Sequence, residues 1–165
     1  MRSYAHATSA NLCFLIMEVL CPRGFYISHD DLKAAEYIGT GWALTGLLRS
    51  SSFLALNNRT QIPETLIKKY KINKNDIFVR KATPEILLAT SFQVDLARSE
   101  IKSGIQLLDE SAQKCYLPLL LQARLSELFL DRLENFDFNP FSEKIEFGYI
   151  VRQLKITLTA VRALF

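Results

Sequence analysis

Apolar side chains recur at intervals of three and four residues along most of the chain, which is the period of an amphipathic helix. The pattern is most regular after Pro84, which fits the first turn of a long helix. The core-facing residues predicted for this helix are Leu87, Leu88, Val94, Leu96, Ile101, Ile105 and Leu108. Only 6 glycines and 5 prolines interrupt the 165 residues, which disfavours a many-stranded barrel or sandwich. The sequence therefore predicts an all-α fold, with residues 1–165 forming a single domain.

Shorter apolar stripes predict the helices that precede residue 84. A first helix is expected over residues 4–20, and a second is expected to begin after Ser28, with Asp31 in its first turn, and to reach about Leu48. Pro63 suits the first position of a short helix. The buried stripe predicted for the first helix consists of Leu12, Leu15, Ile16, Val19 and Leu20.

The remaining helices are predicted towards the carboxyl end. Pro118 opens an apolar-periodic stretch that should run as a helix to Leu133, and a turn is expected over residues 136–140. Residues 142–165 then resume the helical period through Ile150, Leu154, Leu158 and Val161. The chain carries no internal repeat and no low-complexity tract, which agrees with one domain.

Charge does not indicate a nucleic-acid-binding protein. The 20 basic and 17 acidic residues are interleaved rather than gathered in blocks. The densest basic stretch contains Lys68, Lys69, Lys71, Lys74, Arg80 and Lys81. We interpret it as a solvated face, with a phosphate or an anionic membrane surface as the alternative ligand.

The expected location follows from apolar runs and cysteines. No run approaches the roughly 18 apolar residues that span a bilayer, because Glu18 and Arg124 interrupt the most apolar stretches. The three cysteines form no Cys-x-x-Cys pair, and the two histidines provide no metal cluster. Without an apolar signal core at the start, the sequence predicts a cytoplasmic protein in a reducing compartment, with peripheral contact at the inner face of a membrane as a further expectation.

The most specific motif is the stretch over residues 39–63, which reads GTGWALTGLLRSSSFLALNNRTQIP. It resembles the second signature of squalene and phytoene synthases, in which a helix ends in Leu-Arg-Asp-x-x-x-Asp and a loop follows with Arg, three residues and Pro. Residues 4–12, 95–97 and 120–138 resemble other helices of the same superfamily. The resemblance covers nearly the whole chain and implies part of an isoprenoid-synthase-type helical bundle.

Two positions depart from this signature in a way that matters chemically. In an active member, carboxylates four residues apart lie on one face of a helix and jointly hold Mg²⁺ against the substrate diphosphate. Ser50 and Leu54 occupy these positions here, so no metal ligand and no catalytic residue is predicted. Arg49 and Arg59 remain as candidates for a residual phosphate-binding site. The alternative is that Arg49 pairs with a helix-borne acid and that Arg59 caps a helix.

The losses favour a binding role over catalysis. The local sequence of the chain resembles a branch of the superfamily that has lost the aspartates and that includes a mitochondrial assembly factor for respiratory complex I. The resemblance implies a non-catalytic accessory or assembly-type factor with no cofactor. The family's first acidic motif and front helices are also missing from the sequence. A protein partner or self-association is therefore expected to cover the apolar stripe of the first helix, and an isoprenoid or lipid is a further candidate ligand.

The alternative function is the carboxy-terminal half of a split prenyltransferase of isoprenoid biosynthesis. Another polypeptide would then supply the front helices and the first acidic motif. Under this alternative Mg²⁺ would be required.

Overall fold

The computed structural model describes residues 5–21, 26–148, 151, 153–154 and 156–158. These residues form helices and loops without a β-strand, which confirms the all-α prediction. Within this part of the chain, no helix is both long enough and apolar enough to cross a bilayer.

Within residues 5–135, leaving out 22–25, the described residues form a π-helical turn followed by eight α-helices. The π-helical turn is His6–Ala10, and the α-helices are α1 (Asn11–Leu20), α2 (His29–Arg49), α3 (Ser51–Leu56), α4 (Glu64–Tyr70), α5 (Lys74–Phe78), α6 (Pro84–Leu107), α7 (Glu110–Cys115) and α8 (Leu117–Asn135). A 3₁₀ turn follows at Glu143–Ile145.

Helix α2 is the central element, because it packs against α1, α6 and α8. Its start is set by a capping box. The Ser28 hydroxyl accepts a hydrogen bond from the Asp31 backbone N–H at 3.1 Å, and the Asp31 carboxylate accepts one from the Ser28 N–H at 2.8 Å. These bonds satisfy two donors that a helix start otherwise leaves open. The predicted start and end of this helix are both confirmed.

Two glycines allow α2 and α6 to approach each other closely. A Cβ atom on Gly104 would lie 2.6 Å from Ile38 Cγ1 and 2.9 Å from the Ala34 backbone oxygen. On the facing helix, a Cβ atom on Gly41 would lie 3.0 Å from the Ala97 backbone oxygen. Real Cβ atoms essentially never lie under 3.0 Å from such atoms and rarely lie between 3.0 and 3.4 Å, so the absence of a side chain at the two glycines is what lets the two backbones pack.

A third glycine lets the π-helical turn that leads into α1 pack closely against another side of α2. A Cβ atom on Gly39 would lie 2.8 Å from both the Ser9 oxygen and the Ala10 Cα. The side chains that α1 buries beneath this contact are Cys13 and Met17. Small residues therefore hold the first helix on the bundle, as they hold α6.

The core is divided into a large cluster and a small one. The large cluster joins α1, α2, α6 and α8, and its largest fully buried side chains include Tyr116 and Phe129. The small cluster lies between α3 and the start of α6 and includes Ile62, Ile77 and Ile86. On the surface, the guanidinium of Arg98 on α6 lies 2.9 Å from carboxylates of both Asp131 and Glu134 on α8.

The predicted faces of the helices are partly wrong. In α1 the predicted buried stripe points outward, because Cys13 and Met17 occupy the side that faces α2. Val94 and Ile101 of α6 and its C-cap residue Leu108 are buried as predicted, whereas Leu88 is exposed. The core side of α6 instead includes Ala89, Ala97 and Gly104, since a close helix contact favours small side chains over leucine.

Some expected boundaries shift and others lie outside the described residues. Pro63 is the N-cap of α4 and not its first residue. Pro118 lies in the first turn of α8, and the turn after that helix has positive φ at Asp137 and Phe138. Of the predicted last helix, Leu154 and Leu158 are helical and exposed. Tyr4, Ile150, Val161 and Phe165 lie outside the described residues.

Replacing Gly104 by valine is expected to lower the free energy of unfolding by about 1–3 kcal/mol, because the new side chain meets the backbone of α2 and forces the helices apart. Gly46→Ala is the matched control. An added Cβ there has no neighbour within 4 Å, so alanine should raise stability by up to about 1 kcal/mol through helix propensity. Urea unfolding followed by circular dichroism measures both. A Gly104→Val protein as stable as the unsubstituted one would contradict the close-packing argument.

Candidate functional site

The candidate site lies at the carboxyl end of α2, where the family signature places its carboxylates. Ser50 separates α2 from α3 and has φ −79° and ψ 0°, and the Leu54 N–H donates to the Ser50 carbonyl at 2.9 Å. The two positions are therefore one helical turn apart, as the motif requires. The Ser50 hydroxyl donates to the Leu47 carbonyl at 2.8 Å. This end of α2 presents a hydroxyl and an isobutyl group where the motif has two negative charges.

No cluster of three or more His, Cys, Asp or Glu side chains with a metal-binding arrangement occurs among the described residues. A hard dication such as Mg²⁺ prefers several oxygen ligands with at least one carboxylate. Ser50 and Leu54 do not fit that requirement, because one supplies a neutral oxygen and the other supplies none.

Arg49, the last residue of α2, is held by two partners. Its Nε lies 2.9 Å from Glu146 Oε1 and its second terminal nitrogen lies 3.0 Å from Oε2, so the pair is bidentate. The guanidinium carbon lies 3.8 Å from the centre of the Phe129 ring. Stacking and the bidentate pair both use the planar shape of arginine, which lysine lacks. The positive charge of Arg49 is thus neutralised by a carboxylate of the same chain.

The segment that carries Glu146 is anchored by aromatic contacts. The Phe129 and Phe147 rings pack edge to face with centroids 5.1 Å apart. Arg132 lies over the Phe147 ring at 4.4 Å. These contacts tie the segment after the 3₁₀ turn to α8, and the Arg49 pair ties it to α2. The sequence interpretation that Arg49 pairs with an acid is therefore met, but the acid lies at the end of the 3₁₀ turn and not on an α-helix.

Arg59 closes α3 through its backbone. Asn58 has φ 53°, and the Arg59 N–H donates to the Leu54 carbonyl at 2.8 Å while the Asn58 N–H donates to the Ala55 carbonyl at 3.0 Å. This arrangement is a Schellman-type helix end. The Arg59 side chain is exposed, and it forms no ion pair with the described part of the chain. The contacts found for Arg49 do not include Arg59, so the shared phosphate-binding role of the two arginines stays a prediction.

A second candidate site is an apolar groove of about 520 Å³ along the outer side of α1. Its walls include Leu12, Leu15, Ile16, Val19 and Leu20 of α1, with Trp42 of α2 and with Pro118 and Gln122 of α8. None of the side chains that line it is charged. Leu12 is 60% exposed, Leu15 56% and Val19 82%. The stripe that the sequence assigned to the core is therefore the open wall of a groove.

The inner wall of this groove is chemically inert. Cys13 is buried, and its thiol donates to Gln122 Oε1 at 3.6 Å. Burial raises the pKa of the Cys13 thiol to about 11, because a thiolate is disfavoured away from water. At neutral pH the thiol therefore stays protonated and behaves as a small apolar group. The groove is suited to an apolar ligand and offers no nucleophile to it.

An all-α bundle whose central helix ends in Leu-Leu-Arg, before a loop with Arg, three residues and Pro, defines a protein of the isoprenoid-synthase class. The profile of the squalene/phytoene synthase family matches residues 1–159, and the chain belongs to that family.

One curated relative also aligns with most of the chain. It is a homolog of NADH dehydrogenase (ubiquinone) complex I assembly factor 6 from Dictyostelium discoideum, and it is 28% identical over 148 residues. The match covers 86% of this chain and 39% of the relative. The chain thus spans about two fifths of the length of this curated relative.

Sequence reasoning missed the partners of both sites. Glu146 is 97 residues from Arg49, and neither its spacing nor its surroundings marked it as a ligand of that arginine. Phe129 is buried in the core, and one face of its ring also contacts the Arg49 guanidinium. The outward direction of the α1 stripe could have been inferred from Ala10, Cys13 and Met17, which form a narrower stripe of small or flexible residues on the opposite side.

A double-mutant cycle is expected to separate the two contacts of Arg49. Glu146→Gln should lower stability by at most about 1 kcal/mol, since the carboxylate is half exposed. Arg49→Ala should cost more, because it also removes the stacking on Phe129. The coupling energy from thermal unfolding should fall as salt is raised. Arg98→Ala, which breaks only surface ion pairs, is the control, and an equal loss in Arg98→Ala and Arg49→Ala would contradict the stacking.

Proposed function

We propose that this chain acts by binding and not by prenyl transfer, as an accessory factor of the complex I assembly type. The observation that carries the proposal is the end of α2. Ser50 and Leu54 hold the positions of the family's metal-binding carboxylates, and the Ser50 hydroxyl already donates to Leu47. A diphosphate and its metal would find no negative charge at these two positions to hold the cation.

The state of Arg49 supports the same proposal. A diphosphate that approached Arg49 would have to displace the bidentate carboxylate of Glu146. If Arg49 had to move to reach the diphosphate, its stacking on Phe129 would also be lost. An arginine satisfied by its own chain serves to hold the structure together, and it offers little free charge to a substrate.

The similarity to the assembly-factor homolog supports a binding role of the assembly type. Its printed name describes it as a homolog of a complex I assembly factor, and the similarity extends over 86% of this chain. A role in assembly requires surfaces that recognise other polypeptides and requires no metal. The groove along α1 is such a surface.

We assign this groove to an apolar helix of a partner protein. Leu12, Leu15 and Val19 are spaced by three and four residues, so they form a ridge of the kind that packs into the groove of another helix. The walls carry no charge, and apolar contact is what they offer. The matched part is 39% of the relative, so further polypeptide accompanies it in that protein. A second copy of this chain and an isoprenoid or lipid are the other occupants that an experiment must separate.

The second candidate function is the enzyme half of a split prenyltransferase. It is favoured by the same open groove in a member of a synthase family. Another polypeptide would lie along α1 and supply the acidic motif that binds the metal. This candidate predicts that two inactive chains gain activity when they are mixed.

Purified chain incubated with prenyl diphosphates and Mg²⁺ is expected to release no pyrophosphate, because Ser50 and Leu54 cannot hold the metal. A colorimetric pyrophosphate assay measures the release, with an active squalene or phytoene synthase as the positive control. Turnover that depends on the chain and on magnesium would refute the proposal. Turnover that appears only after a separate partner polypeptide is added would establish the split enzyme instead.

Charged substitutions in the groove are expected to abolish the binding role without unfolding the protein. In a source strain that lacks the chain, native gels should show less assembled complex I, and the unsubstituted chain should restore it. The pair Leu15→Asp and Val19→Asp should fail to restore it, because an uncompensated carboxylate in an apolar contact costs several kcal/mol.

The matched control for this experiment is the pair Leu154→Asp and Leu158→Asp. These leucines are 59% and 57% exposed and do not line the groove, so they should restore assembly. Full restoration by the groove pair would overturn the assignment of the groove. A groove pair that changes the mass of the free protein in solution would show that a second copy is the occupant, and loss of co-purified lipid would point to a lipid.

A further inference from the structure

The net positive charge of the molecule comes from one short part of the chain. Residues 64–81 contain six basic and two acidic side chains, a net charge of +4, whereas the whole chain has +3. The segment comprises α4, α5 and their connections, and α4 packs on the long helix α6. The remainder of the chain therefore has a slightly negative net charge, and residues 64–81 carry the excess of positive charge.

An exposed apolar strip lies beside these cations. Leu88 and Phe92 are one turn apart on α6, and they are 57% and 44% exposed. The Lys69 ammonium lies 5.2 Å from the centre of the Phe92 ring and 5.1 Å from that of Tyr70. Lysine and aromatic groups thus meet on the same surface. Exposure of these two apolar side chains to water is energetically unfavourable.

The acidic groups near the strip are mostly matched by neighbours. Glu64 pairs with Lys74 at 2.8 Å, and Asp76 lies 3.8 Å from Lys81. Glu85 lies one turn before Leu88, and its pKa is lowered by its own backbone N–H, by the Thr83 hydroxyl and by Lys81.

Asp95 is exposed one turn beyond Phe92 and limits the strip on that side. The exposed cations Lys69, Lys71 and Arg80 form no ion pair within the described residues. Positive charge therefore remains unpaired in this segment, and the Lys69 ammonium brings it beside the apolar strip.

We propose that this face, made of Leu88 and Phe92 with Lys68, Lys69 and Lys71, is the surface by which the protein contacts an anionic phospholipid membrane. Phosphates of the lipid headgroups would meet the lysines, and the hydrocarbon directly beneath would receive the two apolar side chains. The stem of Lys69 can lie along the Phe92 ring while its ammonium stays among the headgroups. A nucleic acid would satisfy the lysines, but it offers no hydrocarbon to Leu88.

Flotation with vesicles tests this surface independently of the proposed function. The full chain is mixed with vesicles of phosphatidylcholine alone or of phosphatidylcholine with phosphatidylglycerol, and the bound fraction is measured. Binding is expected only to the anionic vesicles and should be lost at high salt. Lys68→Gln, Lys69→Gln and Lys71→Gln together should weaken binding at least about tenfold. Leu88→Ser with Phe92→Ser should weaken it to a similar extent, about tenfold or more, because two buried apolar groups are lost.

Matched controls distinguish binding through this face from non-specific electrostatic attraction to the vesicles. Lys33→Gln, Lys102→Gln and Lys114→Gln remove the same charge from exposed positions elsewhere, and they should leave binding within about twofold. Leu154→Ser with Leu158→Ser is the matched control for the apolar groups, because both leucines are exposed and neither lines the groove along α1, and it should also leave binding within about twofold. Circular dichroism checks that every variant is folded. Equal loss in the two lysine triples, equal binding to neutral vesicles, or preferred binding to duplex nucleic acid would each overturn the proposal. The salt dependence of the unsubstituted chain tests it even if a variant fails to fold.

Discussion

The close contact of α2 with α6 is the constraint on which the rest of this structure depends. Gly41 and Gly104 remove the side chains that would separate the two backbones, and Ala34 and Ala97 are the neighbours that they meet. With that distance set, α8 packs against both helices and the large core closes around Tyr116 and Phe129. The position of Arg49 at the end of α2 follows from the same contact, because α2 can neither shift nor rotate without losing it.

The charge at the end of α2 is balanced within the chain. Where the family signature brings two carboxylates to a metal, this protein brings one carboxylate, Glu146, to one arginine. The pair is partly open to water, so its net worth is modest, while the stacking of Arg49 on Phe129 adds contact that salt does not weaken. The position that binds a diphosphate and its metal in an active family member here connects α2, α8 and the segment after the 3₁₀ turn.

Much of the helical framework could be predicted from the sequence because its signals are local. Ser28 with Asp31, Pro84 and Pro118 each act within one helical turn, and each marked a helix start correctly. The family resemblance placed Ser50 and Leu54 one turn apart, which the structure confirms.

The faces of the helices were harder to predict, because packing depends on distant partners. Periodicity identifies an apolar side without stating whether the core or a groove receives it, and for α1 it selected the groove. The same limit applies to α6, where glycine and alanine form the inner side and Leu88 lies outside. The pair of Arg49 and Glu146 could not be predicted, because the two residues are 97 positions apart in the sequence.

The two sides of helix α1 have different roles. Cys13 and Met17 are buried on the side of α1 that faces the bundle, whereas Leu12, Leu15 and Val19 are mostly exposed. Substitution of the outer residues can therefore change which ligand or partner α1 recognises while the buried contacts of Cys13 and Met17 are kept.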